Sequence, residues 1–322
     1  PQDLETMFQL IYLYFTAPRK DDVAFQALTS QMEAVLANRD AEPMSAFQDT
    51  LLLTMSQGHP RVRPMDLDAF KEIDLDEAFS FYQDRFADAS DFTFLFVGAF
   101  ETGEILPMVE TYLGGLPSIG RKESWVDLVV EPPVGVIEKT VRKGLEPRSL
   151  TQIVFTGAFE STPDTRMGIR TMSSVLESRL LRLVREDMSG TYGVQVSPGY
   201  SLIPEPEYQI RIQFGSDPDR AEELVEAVFG EIQALIQEGP TPEDVQAATE
   251  KVRRSRETNM EENGWWLSQL RSAYFYDWDP HLALDEGPLE RVTAETIQRD
   301  AGLWLRLDNY VRVSLFPETG GS

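Results

Sequence analysis

Apolar residues recur at helical spacing from the start of the chain. Leu4, Met7, Phe8, Leu10, Ile11 and Phe15 predict a mostly buried helix over residues 4–15, ended by Pro18. A second helix is predicted from Asp21, with Phe25, Leu28, Met32, Val35 and Leu36 on one face, and a third from about Pro43 to Gln57. Asp74 is placed to cap a helix that runs through Phe86, because its carboxylate can accept from first-turn amides. Phe92 to Gly98 reads as a strand, and Ile105 to Leu113 as a short helix closed by Gly114-Gly115.

A stretch rich in turn formers, with Pro132-Pro133, separates this part from the next. Strands are predicted at Gly135 to Arg142 and Leu150 to Thr156. Pro163 then opens a long helix with Ile169, Met172, Leu176, Leu180 and Leu183 on one stripe. Two further strands, Tyr192 to Leu202 and Tyr208 to Phe214, precede helices at about 218–237, 242–262, 264–276 and 293–305. A last strand runs from Tyr310 to Phe316.

The two parts follow one plan. Residues 4–98 and residues 219–316 both run helix, helix, helix, capped helix, strand. Leu4–Val23 corresponds to Leu224–Val245, the helix capped at Asp74 to that starting at Thr293, and Phe92–Phe96 to Tyr310–Ser314. The expected fold class is α+β: tandem related repeats, each an antiparallel sheet with helices layered on it, the first truncated at its N-terminus. The expected boundaries are 1–118 for the back part of a first repeat, 119–134 for a linker, 135–318 for a complete second repeat and 319–322 for a flexible tail. A first repeat without its front strands is expected to present a cut sheet edge or an exposed apolar helix face.

Composition narrows the function. The chain has 322 residues, enough for about two domains at roughly 150 residues each. Its 54 acidic residues outnumber 29 basic ones, for a net charge of −25, which disfavours nucleic acid and anionic membranes as partners. The apolar stretch Met7 to Phe15 is too short to span a bilayer. The opening Pro-Gln-Asp-Leu has neither an initiator Met nor the features of a signal peptide, so a fragment of a longer protein is expected, with any targeting signal upstream. With no cysteine, thiolate metal sites and cysteine nucleophiles are excluded. The compartment stays open on that ground, with the periplasm favoured over the cytoplasm.

Metal chemistry has little to stand on within the chain. There are two histidines, His59 and His281, and neither His-Glu-x-x-His nor its inversion occurs. Both histidines read as turn residues. The segment Leu183-Val-Arg-Glu-Asp-Met-Ser-Gly-Thr-Tyr-Gly-Val194 is more suggestive. It ends the long helix, turns at Gly190 and enters a strand, so Arg185 and Tyr192 could point a guanidinium and a phenol into one space. Such a pair can hold a carbonyl oxygen as it becomes an oxyanion. The plainer account is an Arg favoured by the helix C-terminus and a Tyr opening a strand.

Arg-x6-Tyr after a long helix resembles the signature of the C-terminal half of pitrilysin/insulinase-family zinc metallopeptidases of bacteria. So do the stretches Leu4–Met7, Tyr12–Arg19, Phe81–Phe86, Phe94–Gly98 and Tyr112–Pro117, in that order. The resemblance covers nearly the whole chain. It implies the LuxS/pitrilysin-like metallohydrolase fold and two halves that enclose a peptide-binding chamber. It places the zinc on an N-terminal half, in the same polypeptide or a partner subunit, and no cofactor on this chain. It makes Arg185 the ligand of the substrate backbone and Tyr192 the oxyanion donor, with a peptide or unfolded protein as substrate. By itself the chain is expected to be inactive. The competing readings are a non-catalytic scaffold or peptide-binding partner subunit of a related peptidase, and an unrelated α+β binding domain.

Overall fold

The computed structural model describes residues 3–39, 41–186 and 193–318, with the side chains of 185 and 186 outside the description. The expected tail at 319–322 and Tyr192, the first residue of the strand expected there, lie outside the described residues. Two compact units emerge, neither continuous in sequence: unit 1 holds Pro1–Ala37, Met65–Val126 and Met260–Pro280, and unit 2 holds Asn38–Pro64, Asp127–Asn259 and His281–Ser322.

Unit 1 is helical. It contains α1 (Leu4–Thr16), most of α2 (Asp22–Arg39), α4 (Leu67–Lys71), α5 (Leu75–Arg85), α6 (Thr102–Met108) and α10 (Asn263–Tyr276). Asp74 caps α5 as expected, accepting from Glu77 N at 2.9 Å. Pro107 sits inside α6, where it lacks an amide and its ring crowds the preceding turn. The helix then widens into a π-turn at Val109–Leu113, with Gly114 N donating to Val109 O at 2.9 Å. Rings supply the core: Phe8 and Phe15 of α1 lie 5.1 Å from Phe96 and 4.9 Å from Phe92, and Phe15 lies 5.0 Å from Phe86. Asp88 is buried and accepts from the amides of Ser90, Ile119 and Arg121, which fastens residues 119–121 to the end of α5.

The strand expected at Phe92–Gly98 does not form as one. The segment has the composition of a strand, but no strand pairs with it among the described residues, and a strand exists only in a ladder.

Unit 2 is a mixed α+β layer structure. Its sheet has the order β1-β5-β2-β4-β3, from β1 (Val136–Arg142), β2 (Ser149–Ala158), β3 (Val194–Ser201), β4 (Glu207–Ser216) and β5 (Tyr310–Phe316). β2–β5, β2–β4 and β3–β4 pair antiparallel, whereas β1 runs parallel to β5, which the strand pattern alone did not reveal. Alternation divides the strands between two faces. Ile153, Phe155, Ile210, Ile212 and Phe214 face the main core, built with α7 (Pro163–Glu186), α8 (Ala221–Glu238) and α12 (Ala294–Trp304). Val154, Val311, Val313 and Leu315 face the other way, onto Phe47 of α3 (Pro43–Met55). α9 (Pro242–Asn259) packs beside α7, and the short α11 (Gly287–Glu290) completes the unit. No helix among the described residues is long and apolar enough to cross a membrane.

Candidate functional site

The corner between α7 and β3 is the place the sequence singles out. α7 starts with a reciprocal cap: Thr165 N donates to Thr162 Oγ1 at 3.1 Å and Thr162 N to Thr165 Oγ1 at 2.8 Å. Ile169, Met172, Val175, Leu176, Leu180 and Val184 are buried along one stripe. Toward the end the stripe runs through Val184, and Leu183 is only partly buried against it.

The last turns of α7 are braced on several sides. Glu177 accepts from Val196 N of β3 at 3.3 Å and from Lys251 Nζ of α9 at 2.8 Å. Arg179 pairs with Glu231 of α8 and donates to Gly239 O at 3.1 Å. Arg182 donates to Asp244 at 2.8 Å. Burial acts to raise the Asp244 pKa, but Arg182 and the Thr241 amide and hydroxyl outweigh it and hold the carboxyl below its ordinary value. Glu177 thus ties α7 directly to β3, while Arg179 and Arg182 tie the end of α7 to α8 and α9.

Arg185 lies in the last turn of α7, and its side chain is outside the described residues, as is Tyr192 altogether. The frame that carries the two is therefore described, and their mutual geometry is not. Both histidines stand in turns: His59 Nδ1 accepts from Arg61 N at 3.2 Å, and His281 lies in the 3-10 turn Pro280–Leu284. Among the described residues no group of three or more His, Asp or Glu side chains could hold a metal ion.

A second feature was missed from the sequence. A cavity of about 430 Å³ opens in unit 2 at one end of the sheet. Leu52, Met55, Val62, Val130, Pro132 and Tyr208 give it apolar walls, and Glu207 brings in a carboxylate. Burial raises the pKa of Glu207, and the nearby Glu131 and Glu205 add to the shift. Burial likewise pushes the Tyr208 phenol up to about 12, so it stays a neutral donor. A mostly apolar hollow with a few polar groups can take a small apolar group. Its lining comes from segments far apart in sequence, so no local motif announces it.

Comparison with known proteins follows the same line as the fold. A family model described as the peptidase M16 inactive domain matches residues 72–252. A curated relative from Arabidopsis thaliana, named zinc protease PQQL-like, is 25% identical over 291 residues, covering 84% of this chain and 30% of its own length. The chain thus spans less than a third of that relative. Among solved structures, the periplasmic protease PqqL from Escherichia coli superposes with a TM-score of 0.83 at 19% identity, over 98% of this chain and 35% of that one. A peptidase M16 inactive domain from Pseudomonas fluorescens superposes with a TM-score of 0.78 at 17% identity, over 99% and 76%. The resemblance to pitrilysin-type zinc peptidases is borne out, and with the family model covering more than half of its residues this chain belongs to the peptidase M16 inactive domain family.

Proposed function

We propose that the chain is the C-terminal, non-zinc-binding half of a zinc-dependent endopeptidase. In this reading it closes the peptide-binding chamber and brings Arg185 and Tyr192 to a zinc site held by an N-terminal half. The observation that carries the reading is the match of an inactive-domain family model to a chain without a zinc-helix motif. The residues present do not suit a zinc site of their own, so the metal and its general base are assigned to the other half.

This chain's share of the chemistry is to bind and to orient. The Tyr192 phenol donates to the scissile carbonyl oxygen as negative charge builds on it. The Arg185 guanidinium, with several donors in one plane, holds the substrate backbone near the cleaved bond. The bracing of α7 by Glu231, Asp244 and Lys251 supports such a role, because a donor is effective only where its support is rigid. The substrate is a peptide or unfolded protein, and the compartment is the periplasm, in keeping with the description of the Escherichia coli structure as a periplasmic protease.

The test is cleavage of a mixed peptide library by this chain alone, by the zinc-bearing half alone and by the two together. Activity confined to the mixture, falling about 100-fold with Arg185→Ala while the halves still associate, supports the reading. Folded, associating halves without activity assign the chain to a scaffold role. Unchanged turnover in Arg185→Ala removes that residue from the site.

A further inference from the structure

The cavity in unit 2 has more than apolar walls. Glu207, Gln209 and Arg211 alternate along β4, so their side chains share the face of the sheet turned away from Ile210 and Ile212. Thr156 of β2 and Gly199 of β3 flank Gln209 in the ladder, and Ser201 lies opposite Glu207. All of these border the cavity. Gly199 contributes no side chain, and a Cβ there would meet nothing nearer than Gln209 O at 3.8 Å, so the hollow stays open over β3. The remaining wall is Leu52 and Met55 from the end of α3, with Val130 and Pro132. Gln57 Nε2 donates to Glu131 O at 3.2 Å, which ties the end of α3 to that last segment.

Two opposite charges border the hollow without an ion-pair partner. The Glu207 carboxylate is half-buried, and among the described residues no hydrogen bond or cation acts on it. Its charged neighbours, Glu131 and Glu205, have its own sign. Four positions along the strand, or roughly 13 Å between Cα atoms, Arg211 donates to the Gln209 side chain and meets no carboxylate among the described residues. In a chain with 54 acidic and 29 basic residues an arginine readily finds a carboxylate, as Arg179, Arg182, Arg291 and Arg312 do.

A half-buried carboxylate among like charges is stabilised by a cation, and a guanidinium holds a carboxylate through two parallel hydrogen bonds. The apolar wall takes aliphatic carbon. One residue type offers the three in that order: lysine or arginine with a free α-carboxylate. The free amino acid is the poorer occupant, because its α-ammonium would stand beside Arg211. In a peptide that nitrogen is an uncharged amide.

We propose that this cavity binds the C-terminal residue of a peptide ending in lysine or arginine. The side-chain cation meets Glu207, the aliphatic stem lies against Leu52, Met55 and Pro132, and the α-carboxylate meets Arg211. The site lies wholly within unit 2, and its occupancy requires neither Arg185, Tyr192 nor a zinc-bearing half.

The experiment is calorimetric titration of this chain, without any other half, with acetyl-Ala-Ala-Lys. Acetyl-Ala-Ala-norleucine removes the cation, acetyl-Ala-Ala-Lys amide removes the carboxylate, and each is expected to bind about 10-fold more weakly. These ligands test both charges without altering the protein. Glu207→Gln is expected to weaken the lysine peptide about 10-fold and to leave the norleucine peptide unchanged; Arg211→Gln is expected to weaken the free acid and to leave the amide unchanged. Gly199→Val, which fills the hollow and keeps both charges, weakens all three peptides while the urea midpoint is kept. No binding by the folded chain overturns the proposal, as do equal affinities across the three peptides. Free lysine binding as tightly as the peptide assigns the cavity to free amino acids and overturns it too.

Discussion

α5 and α12 have the same length, 11 residues, and the same kind of start, an oxygen on the N-cap side chain that accepts from the first turn. Yet α12 buries Ile297, Asp300, Ala301 and Trp304, and α5 buries nothing. The cap decides where a helix begins; what covers it is decided by elements far away in sequence. Burial should therefore separate the two units more sharply than any local substitution does.

The largest effect is expected where the difference in burial is greatest. Leu180→Ala in α7 leaves a void in a fully buried position of unit 2 and should cost about 2–5 kcal/mol. Urea unfolding followed by emission reads this unit by itself after Trp125, Trp265, Trp266 and Trp278 are changed to Phe, because Trp304 is then the remaining indole. A loss below 1 kcal/mol would mean that the main core is looser than its packing indicates.

Next come the caps, which test the comparison most directly. Thr293→Ala should lower the stability of unit 2 by about 1 kcal/mol, because α12 is coupled to the core. The equivalent Asp74→Ala should mainly fray α5, seen as faster amide exchange in residues 75–80 with little change in the unfolding midpoint. Equal midpoint shifts would show that α5 is coupled to its unit as tightly as α12. The smallest effect is expected from Phe81→Ser, within about 0.5 kcal/mol in this chain, since the ring is already in water.

Asp300 adds a pH dependence that only unit 2 should show. Its side chain is almost fully buried against Gly168, and burial raises its pKa although Arg299 pulls the other way. The folded state thus holds the proton more tightly than the unfolded one. The stability gained this way is fully present below the ordinary value of 3.8 and is lost as pH rises through the raised folded value. Asp300→Asn should flatten that part of the stability profile, measured as urea midpoints across acidic pH. Asp88 in unit 1 has the opposite sign. Burial opposes its charge, but the amides of Ser90, Arg121 and Ile119 prevail and hold it well below the usual carboxylate range. Its contribution is present above the ordinary value and is lost as pH falls toward the depressed one.

Local signals in the sequence translated well wherever local physics decides. The apolar spacing of α1, the cap at Asp74, the Pro that opens α7 and the strand Tyr310–Phe316 all lie where the pattern puts them. Phe92–Gly98 carries an equally good strand pattern and forms no ladder, because pairing needs a partner and a propensity does not supply one. The parallel pairing of β1 with β5 and the cavity walled by Leu52, Val130 and Tyr208 were hidden for a related reason: each joins residues far apart in the chain. Arg185 and Tyr192 were legible as a spacing and as a family signature. The structure adds the anchored end of α7 that carries the first of them.

The place of β5 between β1 and β2 also bears on how the protein is made. Gly135 N donates to Asn309 Oδ1 across 174 positions, and among the described residues β1 has no strand beside it other than β5. At about 5–20 residues per second, the ribosome releases β1 on the order of 10–30 s before its partner exists. During that interval Ile137 and Val141 have no sheet to join, and β2 has one edge open. The sheet of unit 2 therefore closes only after β5 has been made, and a nascent chain stalled before residue 310 is a natural client for a chaperone that shields open strands.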